Sequence, residues 1–299
     1  MSIWQTKSWQ EMLKNSNQIQ NFFEFDGVFI EKRSIGLGQF GLFILGINEE
    51  ILNEVFLTKL KKLCKDENCL FVQFETINYE DKGISIIPDF KVGYYKKFIT
   101  PYTAIIDLNL GLDDILSLMK PKGRYNIKLA EKKGVVVHEV EKTKENVEIF
   151  YNLMLETTSR DNFNGNSLDY YISFLNGVKE SKLFISYYQD IAISSGIFTY
   201  VGNVAIYYYG ASTSDVNYRN LMAPYLLQWT AICKGKELNC EIYDFLGVAS
   251  PGDKKSSLQG VTDFKSKFTS NIIKVSESYI FINNKFKYNL LQILRKIKR

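Results

Sequence analysis

The feature that most constrains the fold is one order of predicted elements that occurs twice. Near residues 27–75, a hairpin of two apolar-rich strands is followed by a helix-like segment and a buried strand. Near residues 183–245, the same order returns, although the letters themselves do not repeat. The predicted helices and buried strands cover 49–65, 70–75, 219–236 and 241–245. This pattern predicts a duplicated α/β unit.

Length and composition agree with two globular domains. The 299 residues are sufficient for two hydrophobic cores. A composition of 45% apolar and 23% charged residues is typical of soluble, ordered globular proteins. The 19 tyrosines and 21 phenylalanines beside 5 prolines favour sheets with aromatic faces. No apolar run approaches the roughly 20 residues of a membrane span. The N-terminus lacks the basic-then-apolar order of a signal peptide, so we expect a cytoplasmic protein.

The element order is that of GNAT acyltransferases, which hold an acyl carrier between two splayed strands. Their CoA-binding form needs a Q/R-x-x-G-x-G/A loop before a helix, where backbone N–H groups meet the pyrophosphate. Arg33 to Gly38 (RSIGLG) fits these letters but lies inside a predicted hairpin. At the equivalent place in the second unit, Tyr218 to Pro224 contains no glycine. We therefore interpret the first match as a turn and discount acetyl-CoA.

Metal and nucleophile chemistry have little support. The cysteines Cys64, Cys69, Cys233 and Cys240 show no C-x-x-C spacing, and we interpret them as buried reduced thiols. The single histidine, His138, falls in a predicted strand, and no G-x-S-x-G motif is present. We expect no metal, no cofactor, and chemistry that needs neither a protein nucleophile nor a histidine base.

A series of motifs resembles the FemABX (FemX-like) peptidyltransferases. The strongest is KPKGRYNIKLAEKKG at residues 120–134, which resembles the family's MKPKxRYNIxxAEKKGV. The other matches are Trp9, YTAIIDL at 102–108, ETTSRDNF at 156–163, YYYGASTSDVNYRNLMAPYLLQW at 207–229, YDFLG at 243–247 and GVTDFK at 260–265. They occur in the family's order over residues 5–270.

The resemblance implies an α/β (α+β) fold of two tandem GNAT-like acyltransferase domains. We expect one domain at residues 1–142, completed by a C-terminal helix at 277–299, and a second at 143–276. The sequence has no insertion for the helical-hairpin arm of some members. The implied donor is aminoacyl-tRNA, and the implied acceptor is a peptidoglycan precursor, either UDP-MurNAc-pentapeptide or its lipid-linked form.

The implied reaction requires a fixed positive charge. An aminoacyl ester becomes an amide without ATP or metal, while the carbonyl oxygen gains negative charge, so a nearby cation lowers the barrier. The resemblance assigns this role to Lys265, which follows Phe264 in the family's FK pair. Asp107 is a candidate to orient or deprotonate the amine, or else a strand-end cap.

Three cations are candidates for the acceptor's diphosphate. Arg160 resembles the family arginine whose planar fork suits phosphate; a helix-end salt bridge with Asp161 or Glu156 is the alternative. Lys32 or Arg33 supplies the matching contact from the first domain.

Four further residues are candidates for substrate contacts. Tyr207 and Tyr209 alternate with Tyr208 along a strand, so one face is predicted to line the cleft and the other the core. Tyr102 and Arg219 lie in the family motifs and are weaker candidates.

Two basic clusters, at residues 120–133 and 285–299, stand out from a net charge of +4. In the first, Arg124 and Lys128 are candidates for tRNA phosphates, with a solvated helix face as the alternative. The C-terminal segment that contains the second cluster has apolar residues at helical spacing: Ile282, Phe286, Leu290, Leu291 and Leu294. This segment docks onto the first domain or makes a peripheral contact with an anionic membrane.

Two other functions remain open from the sequence. One is a GNAT-type acyltransferase with another donor, such as acyl-CoA. The other is a non-catalytic protein that binds tRNA or a wall precursor. The Phe264–Lys265 pair argues against the second, because a binding protein has no use for it.

Overall fold

Two mixed sheets organise the chain. The computed structural model describes residues 2–80 and 87–297, within which the strands form sheets of six and seven. The first compact unit comprises residues 1–101 and 274–299, and the second comprises residues 102–273. The second unit is therefore inserted, in sequence, into the first.

The first unit begins with a sheet and two helices. Its elements are α1 (Lys7–Asn15), β1 (Asn21–Phe25), β2 (Val28–Gly36), β3 (Gln39–Ile47), α2 (Glu54–Asp66), β4 (Phe71–Thr76) and β5 (Lys91–Val92). The side chain of Asn53 accepts from the Phe56 N–H and so starts α2. Phe56, Leu57 and Leu60 then lie on one buried helix face against β3 and β4.

The second unit contains most of the helices. Its elements are β6 (Tyr102–Asp107), α3 (Leu112–Leu118), α4 (Pro121–Lys132), β7 (Val136–Val140), α5 (Lys144–Asp161), α6 (Leu168–Gly177), β8 (Ser181–Tyr188), β9 (Ile191–Val201), β10 (Val204–Ser212), α7 (Val216–Arg219), α8 (Ala223–Glu237), β11 (Ile242–Gly247), α9 (Gln259–Lys265) and β12 (Ile272–Lys274). The chain then returns to the first unit as β13 (Ser278–Ile282) and α10 (Lys285–Ile297). The longest described helix, α5, has 18 residues, and no described helix has the length and apolar character needed to cross a membrane.

The duplicated pattern is confirmed by the strand orders β1-β2-β3-β4-β13-β5 and β12-β6-β11-β10-β9-β8-β7. In each unit the strand after the helix pairs in parallel with the second hairpin strand, as β3 with β4 and β10 with β11. The helices predicted at 49–65 and 219–236 begin later in the structure, at Glu54 and Ala223. Residues 49–51 form a separate 3-10 turn before α2. Met222, with φ 57°, delays α8 until Ala223.

The division between the units differs from the one expected. The boundary predicted between residues 142 and 143 falls between β7 and α5, inside the second unit. The structure divides the chain after Pro101, because β6 pairs with β11 from Asp107 back to Thr103.

The segment before β6 is held by buried side chains rather than by a strand ladder. Gln73 and Glu75 on β4 are fully buried. Gln73 Oε1 accepts from the Tyr95 N–H at 2.6 Å, and the Glu75 carboxylate accepts from the Ile99 N–H at 2.6 Å and the Phe98 N–H at 3.0 Å. Burial raises the pKa of Glu75 to about 7. This segment thus depends on two buried polar side chains of β4.

Gly123 allows α4 to approach the turn after α9. A Cβ at this position would lie 2.3 Å from the Lys267 carbonyl oxygen. We predict that Gly123→Ala lowers the free energy of unfolding by about 1–3 kcal/mol, because overpacking against backbone outweighs the gain in helix propensity. Urea denaturation measures the change.

The matched control is Gly260→Ala in α9, where a Cβ meets nothing within 4 Å. That variant is expected to be neutral or slightly more stable. Equal stability of the Gly123 and Gly260 variants would contradict the close approach.

Candidate active site

The central parallel strands of the second unit separate part-way along their length. β10 pairs with β11 at Val204, Ala205 and Ile206 only. Beyond that point β10 follows β9 as far as Ser212, and β11 follows β6 as far as Gly247. The two strand ends therefore diverge. Beyond Ile206, the edges of β10 and β11 that face each other are no longer joined by ladder hydrogen bonds. This is the splay predicted from the element order.

Lys265 reaches the end of β11 beyond the last rung shared with β10. It is the last residue of α9 and only 6% exposed. Its ammonium donates to the Leu246 carbonyl at 3.1 Å and to the Gly247 carbonyl at 2.8 Å. An ammonium has three donors. Among the described residues these two carbonyls are its hydrogen-bond acceptors, so one N–H has no acceptor among them.

A buried carboxylate supports this cation. Asp244 is fully buried on β11, and its Oδ1 accepts from the Leu246 N–H at 2.6 Å and from the Thr103 hydroxyl. Leu246 has φ 55°, so the Asp244 contact fixes the bulge whose carbonyls hold Lys265. Burial lowers the pKa of Lys265 to about 8, and the Asp244 charge opposes that shift. The carboxylate therefore favours the charged ammonium in two ways, through geometry and through its field.

Phe264 and Tyr102 lie at the same end of the sheet. The Phe264 ring packs 5.3 Å from both Tyr225 and Phe268 and anchors α9 on the core. Tyr102 begins β6, and its carbonyl accepts from the Val248 N–H at 3.0 Å. Phe264 thus positions Lys265 through packing.

Asp107 lies at the opposite end of β6. Lys265 binds Gly247, which pairs with Thr103, and Asp107 lies four positions beyond Thr103 along the strand, roughly 13 Å away. The Asp107 carboxylate accepts from the Asn109 N–H and side-chain amide, both at 2.9 Å. The geometry favours the strand-end cap over a role beside Lys265.

The tyrosine alternation predicted for β10 is wrong because the strand bulges at Tyr208. Tyr207 pairs with Phe198 and Tyr209 with the adjacent Ile197, so the two tyrosines lie on opposite faces. The Tyr207 ring stacks on Phe198 at 5.4 Å, and burial raises its pKa to about 12.

Tyr209 packs on the other face, against α6. Its hydroxyl lies 2.9 Å from that of Tyr170, and its ring lies 5.3 Å from Tyr171. The bulge thus leaves Tyr207 on the α8 face of the splayed strand and takes Tyr209 away from it.

Arg160 forms the salt bridge that was its alternative assignment. Its guanidinium binds both Asp161 carboxylate oxygens at 2.9 and 3.0 Å, and donates to the carbonyls of Ser212 and Thr213 at 3.3 Å. It joins the end of α5 to the end of β10. A diphosphate at this place would compete with Asp161.

Lys32 and Arg33 are paired within the first unit. Lys32 binds Glu67 at 2.8 Å, and Arg33 binds the buried Glu31 at 2.6 Å. The Arg33 guanidinium also lies 4.6 Å from the Phe98 ring. Both cations are largely shielded, with 16% and 12% of their side chains exposed.

The remaining basic candidates differ in their contacts. Arg124 donates to the carbonyls of Ser117 and Met119 and thereby caps α3. Lys128 is exposed on α4, and Arg219 is exposed at the end of α7. Of the two tRNA candidates, Lys128 is therefore the one whose charge faces solvent.

The loop before α8 has little capacity to bind a pyrophosphate. The N–H groups of Leu221, Met222 and Tyr225 are donated to carbonyls within the loop, at 2.9, 3.3 and 2.9 Å. Pro224 has no N–H. These contacts use three of the N–H groups that could otherwise meet a CoA pyrophosphate.

The cysteines are free thiols. Burial raises the pKa of Cys64 to about 12 and that of Cys69 and Cys233 to about 11, so they are poor nucleophiles. No cluster of three or more metal-ligating side chains occurs in the described ranges.

Sequence reasoning missed Asp244 and Thr103. The only signal was an acid inside the otherwise apolar run YDFLG of a predicted buried strand. A buried carboxylate needs partners, so such an acid indicates a polar site.

We predict that Asp244→Asn lowers the pKa of Lys265 below its value of about 8, because the neutral amide no longer stabilises the ammonium. NMR titration of lysine Cε resonances measures the midpoint. The control is Asp263→Asn, which removes an exposed carboxylate from α9 and is expected to leave the midpoint unchanged. An unchanged midpoint in the Asp244 variant would show that the carboxylate does not act on the ammonium.

Known proteins resemble this chain along most of its length. Lipid II:glycine glycyltransferase of Staphylococcus epidermidis is 22% identical to this chain over an alignment 320 residues long, gaps included. The alignment covers 82% of this chain and 76% of the relative. Aminoacyltransferase FemA of the same species is 28% identical over 111 residues, which cover 37% of this chain and 26% of the relative.

The fold is shared with a solved structure. The crystal structure of FemX aligns with a TM-score of 0.81 and 17% identity over 97% of this chain and 94% of that chain. The sequence profile of the FemAB family matches residues 89–185 and 176–296, which together span more than half of the chain. The protein is a member of the FemAB family.

Proposed function

We propose that this protein transfers an amino acid from aminoacyl-tRNA to an amine in the stem peptide of a peptidoglycan precursor. The observation that carries the proposal is the buried Lys265 ammonium at the divergence of β10 and β11, with one N–H uncommitted among the described residues. A preorganised cation in a water-poor place stabilises developing negative charge far better than a solvated one.

The reaction balances without a cofactor. The acceptor amine attacks the ester carbonyl, and the C–N bond forms while the carbonyl oxygen gains negative charge beside Lys265. The ester C–O bond then breaks, the ribose oxygen of the tRNA leaves, and the amine proton passes to it directly or through water. Lys265 acts as a fixed charge and transfers no proton.

The family supports this class of chemistry. The related proteins carry names that specify aminoacyl transfer, and lipid II is the acceptor in the name of one of them. For this chain the acceptor is proposed as the UDP-linked or lipid-linked muramyl pentapeptide.

Acyl-CoA is a weaker candidate donor. The committed N–H groups before α8 and the absence of a glycine there disfavour a pyrophosphate. A protein that only binds tRNA or a precursor would not need to desolvate a lysine at a splayed strand pair.

We predict that Lys265→Met lowers kcat by roughly 10²–10³-fold with little change in KM for the acceptor, since the missing charge acts mainly in the transition state. The assay combines purified protein, a panel of charged tRNAs and each muramyl pentapeptide form, with the product detected by mass.

Lys267→Met is the matched control, because Lys267 lies two residues further along and its side chain is only half-buried. It should retain wild-type turnover. Full activity of the Lys265 variant would remove the proposed mechanism, and product formed from acyl-CoA but from no charged tRNA would replace the proposed donor.

The outer face of α4 is the proposed contact for tRNA phosphates. Lys128 and Lys132 are exposed there. We predict that Lys128→Gln with Lys132→Gln weakens tRNA binding and reduces the slope of log Kd against log salt by roughly 1.4–1.8, at about 0.7–0.9 per lost phosphate contact. Filter binding at several salt concentrations gives this slope.

Lys62→Gln with Lys65→Gln on α2 removes the same charge from another exposed helix face and should leave the slope unchanged. Equal slopes for the α4 variant and wild type would move the tRNA contact elsewhere.

A further inference from the structure

The C-terminal helix α10 is attached to the first unit by one face. Tyr288 and Leu291 are 9% and 5% exposed, and the Tyr288 ring packs 5.6 Å from Phe71. The Arg295 guanidinium lies 4.1 Å from the Tyr95 ring and donates to the Tyr95 carbonyl at 3.1 Å. These contacts account for the apolar and basic residues of that face.

A second apolar stripe on α10 is left in solvent. Phe286 is 80% exposed, Leu290 48%, Ile293 56% and Leu294 36%. Their spacing of four, three and one residues places them along one side of the helix. The sequence predicted one helical set of Ile282, Phe286, Leu290, Leu291 and Leu294. In the structure Ile282 belongs to β13 and Leu291 is buried against the first unit, whereas the other three are exposed. Large apolar side chains in a continuous exposed stripe indicate a binding surface.

The segment that carries this stripe and the segment on which it docks have charges of one sign. Residues 285–299 contain six basic residues and no acidic one, and the segment 91–97, which includes Tyr95, adds three lysines and no acid. The whole chain has a net charge of only +4, so the rest of it is net acidic. Lys285 and Lys287 are exposed beside Phe286, while Lys298 and Arg299 lie outside the described residues.

We propose that α10 binds the surface of an anionic lipid bilayer, with the stripe of Phe286, Leu290, Ile293 and Leu294 at the boundary of the acyl chains. Lys285 and Lys287 then meet lipid phosphates. An apolar stripe beside basic residues is the composition of an interfacial helix. A second copy of the chain is a poorer partner, because it would bring two segments of the same positive charge together.

The inference extends the proposed function in one respect. If the acceptor is lipid-linked, α10 holds the enzyme at the membrane surface where that acceptor resides. Membrane binding itself depends only on α10 and is measured without any acceptor.

The test is co-sedimentation of the full-length protein with empty vesicles. Wild type is expected to sediment with vesicles that contain phosphatidylglycerol and to remain in solution with vesicles of phosphatidylcholine alone. Phe286→Ser with Ile293→Ser should weaken binding about tenfold or more, because both apolar contacts are lost. Lys285→Gln with Lys287→Gln should weaken it by a similar factor and remove much of its salt dependence.

The matched control variants remove the same numbers of apolar and basic side chains from other surfaces. Val55→Ser with Val136→Ser deletes apolar side chains that are 66% and 50% exposed, and Lys62→Gln with Lys65→Gln deletes two exposed lysines. Both controls should sediment as wild type does, and circular dichroism should show every variant folded.

Two outcomes overturn the inference. One is sedimentation of the Phe286/Ile293 variant at the wild-type level. The other is a wild-type dimer in analytical ultracentrifugation that the same variant abolishes, which would assign the stripe to a second copy. Failure of the proposed function gives a different result, namely no transfer to any acceptor while vesicle binding persists.

Discussion

The burial of a single ammonium group is the constraint around which the second unit is arranged. A desolvated lysine requires acceptors, and Lys265 finds them in the carbonyls of Leu246 and Gly247. Those carbonyls are available because β11 bulges at Leu246 and has already left β10. The Asp244 carboxylate secures the bulge, and the ring of Phe264 secures the helix that carries the lysine. Strand divergence, bulge and helix end are thus parts of one polar site.

The first unit repeats the topology without repeating the site. Its parallel pair, β3 and β4, stays paired from Leu42 to Ile47 across one register shift between Leu45 and Ile47, so it does not open as β10 and β11 do. Its cations Lys32 and Arg33 are neutralised by Glu67 and Glu31. The two units are therefore similar scaffolds, of which the second contains a buried lysine with an N–H that has no acceptor among the described residues.

The sequence allowed the architecture to be predicted, because hydrophobic periodicity is local and occurs in both halves. The strands around Phe71 and Tyr243 followed from it, whereas Lys265 was singled out only by the resemblance of its motif to the FemABX family. Side-chain direction did not follow. One extra residue at Tyr208 places the side chains of Tyr207 and Tyr209 on opposite faces of the strand. No local sequence pattern predicts such a bulge. Likewise, Arg160 donates to the Thr213 carbonyl and Arg124 to the Met119 carbonyl, and sequence spacing reveals neither contact.

The insertion of one unit within the other has a consequence for synthesis on the ribosome. The second unit is complete once residue 273 has emerged. In the first unit, however, β4 receives its second neighbour only when β13 appears, with Tyr279 opposite Phe74. Until then one edge of β4 is an unpaired apolar strand of the kind that pairs wrongly with other chains. The usual order, in which the N-terminal domain matures first, is therefore reversed, and the nascent chain must protect that edge until Ser278–Ile282 has been synthesised.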